Sequence, residues 1–318
     1  MNPVLALIIV NIIWGAAFPI FKFALLNIPP FTLAFIRFFF AGLIFIPLVV
    51  RKWQKLTLQQ WRDLLIFSFF GITINISTFF LGIKRTDSIN AAVIACSGPI
   101  FIYFFSLIFL GEKAKLRVFF GMIGALMGVL LIIFAPIFKD GQRLVLGQIE
   151  GNALVLIATL GAVIQTVIGN KMLKTINSYQ ALVVSFLFGA VTFLPFMLGE
   201  LQRWSFSELN IQGVSGIVFG IFLSSALAYY LFYNAVAKIE GQEVGIFTYI
   251  DPVVAVILAI PLLNEYPNIY FYLGSILVFG GIYVAEKRIH WHPFHKLKNQ
   301  SLKLSPTLEF RKESKTTT

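Results

Sequence analysis

A chain of 318 residues with 58% hydrophobic and 12% charged positions and a mean hydropathy of +0.86 is not a water-soluble globular domain, which carries about a quarter of its residues charged. The formal net charge of +11 is explained more simply by membrane topology than by a phosphate-binding face, so nucleic acid is not expected as a partner. The single cysteine, Cys96, rules out an intramolecular disulfide framework and reads as packing.

Polar breaks predict ten apolar helices over 3–26, 30–50, 63–83, 88–110, 118–138, 151–170, 178–199, 211–237, 244–264 and 268–285. Runs of ~18 or more uncharged apolar residues are membrane spans, and continuous runs favour helices over the ~10-residue alternating strands of a membrane barrel. The first run follows Met1-Asn2-Pro3 with no charged leader and no A-x-A site, so it reads as a span and not as a cleaved signal. Asn11, Trp14, Phe18 and Lys22 recur along it at helical spacing and form one stripe. The second run carries Arg37 and the third carries Asn75 and Thr78. Asn75-Ile76-Ser77 has the form of a glycosylation sequon, but it lies within a span. The fourth contains Pro99 near its middle, the fifth contains Gly124-x-x-x-Gly128, the eighth aligns Ser225, Tyr229 and Tyr233, and the ninth places Asp251 before Pro252. The Gly pattern suits close helix contact, and each proline removes an N–H and breaks or kinks its helix.

Lys and Arg follow the predicted topology. With a cytoplasmic N-terminus, 18 of the 25 fall in the even-numbered connections and the tail, five in the odd-numbered ones, and Lys22 and Arg37 within spans. This bias puts both termini in the cytoplasm of a multi-pass inner-membrane (plasma-membrane) protein. His290, His292 and His295 lie in the basic tail and read as surface residues, with a tail metal site from H-W-H-P-F-H as the lesser alternative; no histidine is left for chemistry within the membrane, and no metal or cofactor is expected.

The longest polar gap divides the helices five and five. A displacement of 153 positions lays Pro99 on Pro252, Glu112 on Glu265, Gly121 on Gly274 and Gly128 on Gly281 without a gap. Two homologous halves with an odd number of helices must lie upside down relative to each other, as in many secondary transporters. The expected architecture is an all-α integral membrane protein of ten transmembrane helices in two inverted five-helix repeats. Residues 1–138 and 151–287 are the repeats, 139–150 the connecting loop and 288–318 a basic cytoplasmic tail suited to anionic lipid.

The stretches Trp14–Lys22 (W-G-A-A-F-P-I-F-K) and Pro29–Phe38, the fourth-helix pattern through Ser97-Gly98-Pro99 to Leu110-Gly111-Glu112-Lys113, and Tyr249-Ile250-Asp251-Pro252-Val253 ending at Asn264-Glu265 resemble the EamA-type members of the drug/metabolite transporter superfamily. Asn264 replaces a common Gly, and Leu160 stands where a tryptophan comparable to Trp14 is sought. The resemblance implies ten helices in two repeats and export or import of small metabolites.

The leading expectation is a secondary transporter, an exporter of a small metabolite such as an amino acid, working by alternating access. No Walker A loop is present to make it a primary pump. An integral membrane enzyme would need an acidic metal cluster or a His-Asp pair at a membrane face, and neither is found; a receptor or scaffold would need a longer exposed domain. No catalytic residue is assigned. Trp14, Lys22, Arg37, Asn75, Tyr229, Tyr233 and Asp251 are the candidate substrate-binding residues, and Pro99 and Pro252 the candidate helix breaks. Buried charges in a span face a cavity or a partner. Asp251 supports two readings: a cap on the segment that Pro252 begins, or a carboxylate that exchanges a proton or meets a cationic group of the solute.

Overall fold

The computed structural model describes residues 2–110, 116–140, 145–238 and 244–286, and among them all regular structure is helical. Ten segments follow one another: α1 (Pro3–Ala24), α2 (Pro30–Val49), α3 (Leu58–Ile83), α4 in two pieces (Ser88–Ala95 and Gly98–Leu110), α5 (Leu116–Asp140), α6 (Val145–Met172), α7 (Ser178–Glu200), α8 (Ile211–Val236), α9 (a 3-10 turn Ile246–Tyr249 running into Ile250–Leu263) and α10 (Ile269–Glu286). Six of them, α1, α2, α3, α6, α7 and α8, are long and apolar enough to cross a bilayer, and the other four are shorter apolar helices. Glu112, the three histidines and the whole of the tail lie outside the described residues. Large apolar side chains cover the outside of the bundle: Val191, Ile257 and Ile276 are each more than 60% exposed, an arrangement that suits lipid and not water.

The helix starts are chemically marked. Asn2 accepts a hydrogen bond from Val4 N, with Pro3 as first helical residue, and Asn177 and Asn210 cap α7 and α8 in the same way. α3 begins at Leu58, five residues before the predicted start, because Thr57 and Gln60 form a reciprocal capping box that carries Arg62 and Asp63 into the helix. α6 begins at Val145, six residues early, and α5 runs to Asp140, so the connection read from polarity over 139–150 is largely helix. α2 and α4 have no side-chain cap of their own. Carboxylates from the second half of the chain supply one. Glu200 accepts from Phe31 N (3.1 Å), Thr32 N (2.7 Å) and Thr32 Oγ1 (2.9 Å), and Glu265 does the same at α4.

Four segments depart from regular α-helix. α3 contains a π-helical turn over Phe69–Ile74 and α8 one over Phe219–Leu227; the 153-residue displacement lays 69–74 on 222–227. α4 breaks between Ala95 and Gly98, directly before Pro99. α9 opens with its 3-10 turn and has Pro252 as the third residue of its α-helical part. The two broken segments meet there: a Cβ on Gly245 would come within 2.9 Å of the Pro99 ring, and Cys96 Sγ donates to the Thr248 carbonyl at 3.0 Å.

The described residues up to Ala285 pack as one unit. α2 lies along α7 through Phe38 against Phe186 and Phe193. α1 lies along α9 at Gly15, where a Cβ would fall 2.8 Å from the Asp251 carbonyl oxygen. α5 crosses α10 at paired glycines, Gly128 on Gly274 and Gly121 on Gly281, the close contact expected of that pattern.

Candidate functional site: a cavity lined by Arg37 and Asp251

The bundle holds a partly open cavity of about 170 Å³. Its wall is mainly aromatic and aliphatic, with Trp14, Phe18 and Phe21 from α1, Phe79 from α3 and Phe232 from α8. Arg37, Asn75, Gln165, Ser224, Tyr229 and Asp251 interrupt that apolar surface. An apolar pocket with a few convergent polar groups is the usual form of a small-molecule site.

Arg37 is 2% exposed. Its guanidinium sits over the rings of Phe21 (4.8 Å) and Phe38 (4.6 Å), which offsets part of the cost of burying the charge. Nε donates to Ser225 Oγ at 2.6 Å, and Nη2 to Ser224 Oγ at 3.0 Å and the Ser224 carbonyl at 3.4 Å. Nη1 is buried without a hydrogen-bond partner. Asp251 is 6% exposed, and its Oδ1 is likewise buried without one. It is the second residue of the α-helical part of α9, whose start shows no side-chain cap bond, so the capping geometry weighed from the sequence is not what this carboxylate adopts. Buried polar atoms are nearly always paired. Here two of opposite charge character, on side chains lining one cavity, are not.

The remaining sequence candidates divide. Trp14 lines the cavity, stacks edge-on against Tyr229 and donates Nε1 to the Ser224 carbonyl at 3.3 Å. Asn75 follows the π-turn of α3 and donates Nδ2 to the Ala158 carbonyl at 2.7 Å, tying α3 to α6 at the wall. Tyr229 and Pro99 are wall residues. Tyr233 is fully buried behind the wall, accepting from Gln165 Nε2 at 3.2 Å, and Pro252 is buried in α9 outside the lining. Lys22 is also absent from the lining. It reaches Glu265 in an ion pair, donates to the Thr86 carbonyl at 2.7 Å, and lies 3.6 Å from Asp87. Glu265 Oε2 in turn accepts from Ser88 N (2.7 Å), Ser88 Oγ (2.6 Å) and Ile89 N (3.4 Å), capping α4.

Sequence reasoning missed Gln165, Ser224, Thr159 and Thr166, all on the wall. Polar positions in otherwise apolar sixth and eighth spans were the only available signal. Gln165 is seated by Gly71, whose added Cβ would collide with its amide.

The profile of the EamA-like transporter family matches residues 1–134 and 149–286. An uncharacterized transporter of Archaeoglobus fulgidus is 27% identical over 290 residues, covering 90% of this chain and 98% of that protein. The uncharacterized transporter YetK of Bacillus subtilis is 27% identical over 275 residues, covering 85% and 82%. A crystal structure described only as that of a protein shares the fold with a TM-score of 0.61 at 17% identity, covering 90% of this chain and 97% of its own.

Proposed function

This chain belongs to the EamA-like transporter family, a family of multi-pass membrane transporters, and from that premise we propose that it is a secondary exporter of a small zwitterionic metabolite of the neutral amino-acid type. One observation carries the reading. Arg37 Nη1 and Asp251 Oδ1 are both buried and unpartnered, on side chains of one mainly apolar cavity. A carboxylate satisfies the first, an ammonium group the second, and an apolar side chain the aromatic wall.

The reading extends to two inverted five-helix repeats, residues 1–138 and 151–287, that alternate access around the cavity. It is supported by the two matches of one family profile, by π-turns at positions 153 apart, and by the glycine crossing of α5 and α10. There Gly121 meets Gly281 and Gly128 meets Gly274, and exchanging the halves at the same displacement turns one contact into the other. The Lys and Arg bias supports cytoplasmic termini in an inner membrane. Export fits a cavity whose wall extends to Val244 and Gly245, near the start of α9 on the lysine-rich side, while the Lys22–Glu265 contacts fasten the opposite end. Asp251 is the candidate for proton exchange. Reporter fusions on the 141–144 connection and the tail should report opposite sides of the membrane; the same side for both ends the inverted repeat.

The substrate test uses proteoliposomes holding the full chain. Radiolabelled L-leucine uptake by counterflow is competed with L-leucinamide, which lacks the carboxylate, and 4-methylpentanoate, which lacks the amine, with and without an imposed pH gradient. Each analogue should compete at least tenfold more weakly than leucine. Equal competition by all three, or no saturable uptake of any neutral amino acid in a panel, removes the zwitterion reading.

A further inference from the structure

Arg37 has five N–H donors in a planar fork. Ser225 Oγ takes Nε, Ser224 takes Nη2 through both its hydroxyl and its carbonyl, and Nη1 alone remains. We propose that the π-helical turn of α8 is a specificity element, in which Ser225 and Ser224 are positioning residues that hold Arg37 so that its single unpaired nitrogen, Nη1, selects a solute carboxylate.

The backbone form explains how two adjacent serines can serve one guanidinium. In an α-helix, neighbours are about 100° apart around the axis and point to different surfaces. The i→i+5 winding of the π-turn over Phe219–Leu227 makes the turn wider and the angle between neighbours smaller. It also loosens the regular ladder, and the Ser224 carbonyl accepts from Trp14 Nε1 as well as from Arg37. Gly220, in the same turn, supplies the groove for the stem: a Cβ there would lie 3.3 Å from Arg37 Cγ and Cδ. The two serines are almost wholly buried, so water does not replace a lost hydroxyl at once. The corresponding turn of α3 has Gly71 and Ile72 where α8 has Ser224 and Ser225 at the same displacement, and position 37 corresponds to Ala190. The cradle therefore belongs to one half only and is not a by-product of the helix geometry that both halves share. The one free guanidinium nitrogen can give a solute carboxylate a charge-assisted hydrogen bond, while the partners of Nε and Nη2 fix its direction.

This inference rests on the carboxylate reading of the cavity, and the experiment separates the two. L-leucine uptake into proteoliposomes and its competition by L-leucinamide are measured for the parent, Ser225→Ala, Ser225→Thr, Ser224→Ala and Arg37→Gln, and the melting temperature of each in detergent serves as the folding control. Loss of a hydrogen bond that orients a buried charge is expected to raise KM for leucine about tenfold in Ser225→Ala. Vmax should stay within twofold, leucinamide competition should not change, and Ser225→Thr, which restores the hydroxyl, should return KM to within twofold. If Ser225→Ala does not fold, Ser224→Ala is read against the same criteria. A parental KM in the serine variants alongside a raised KM in Arg37→Gln overturns the positioning role while leaving the carboxylate reading intact. A parental KM in Arg37→Gln, or no leucine uptake by the parent, overturns the carboxylate reading and this inference with it.

Discussion

The Lys22 cluster and the Arg37–Asp251 cavity contain the same kinds of side chain, a cation and a carboxylate within a membrane bundle, and differ in how completely their atoms are paired. At the Lys22 cluster the ion pair joins α1 to the end of α9. The second oxygen of Glu265 caps α4, and Lys22 also binds the Thr86 carbonyl. The Thr86 hydroxyl continues the chain to Asn152 of α6, which donates to two carbonyls of α5. No side-chain atom of Lys22, Glu265, Thr86 or Asn152 is buried without a partner. In the cavity, one atom of each charged side chain is. A saturated polar network rigidifies the structure around it, whereas an unsaturated one retains an energetic demand that an incoming group can meet. Charge inside a span is therefore a poor guide to the binding site until its partners are counted.

The comparison breaks first at Arg37. Arg37→Gln should reduce uptake of a carboxylate-bearing solute on the order of 100-fold, the loss expected for a charge-assisted contact, and Lys22→Gln less than threefold at equal expression. Uptake assays in which both variants behave alike would erase the distinction between the two clusters.

At Asp251 the expected effect is somewhat smaller. Asp251→Asn keeps the volume and removes the charge, and should lower uptake of a zwitterion roughly tenfold and flatten its dependence on an imposed pH gradient, with insertion unchanged. Because Asp251 makes no capping bond, Asp251→Ala should melt within a few degrees of Asp251→Asn. A much lower melting temperature for the alanine variant alone would restore the cap.

Glu265 sharpens the contrast from the other side. Glu265→Ala leaves Lys22 without its principal partner and α4 without its cap, at a cost of about 2–3 kcal/mol, while KM stays within twofold. Thermal unfolding in detergent measures the first and uptake kinetics the second. A change in KM with no loss of stability would make this cluster part of the binding site.

The smallest effect is expected next to it. Asn264 ends α9 in the left-handed conformation, with φ 54°, which glycine adopts freely and asparagine tolerates better than other side chains. Asn264→Gly should be neutral within a few tenths of a kcal/mol, and Asn264→Val should cost about 1–2 kcal/mol through misplacement of Glu265, again read as melting temperature. Equal stability of the two would mean that the turn does not set the position of the cluster.

Composition and hydropathy alone determined that this is an all-helical membrane protein with ten apolar segments, because the bilayer imposes length and apolarity on each segment independently of its neighbours. Short motifs determined more. The prolines marked where α4 and α9 depart from regular helix, Gly124-x-x-x-Gly128 marked a close crossing, and the replacement of a common glycine by Asn264 fell at a position with positive φ. Arg37, Trp14, Asn75, Tyr229 and Asp251 were legible as wall residues because polar and aromatic groups stand out in an apolar run. The π-turns were not legible, since a change of winding leaves no mark in residue types that suit α-helix equally well. The roles of Lys22 and Glu265 were also hidden, because their pairing spans 243 positions and depends on where α1 and α9 end in space. Pairing is a property of two atoms brought together, so only the tertiary structure decided which polar groups were satisfied and which were left without a partner.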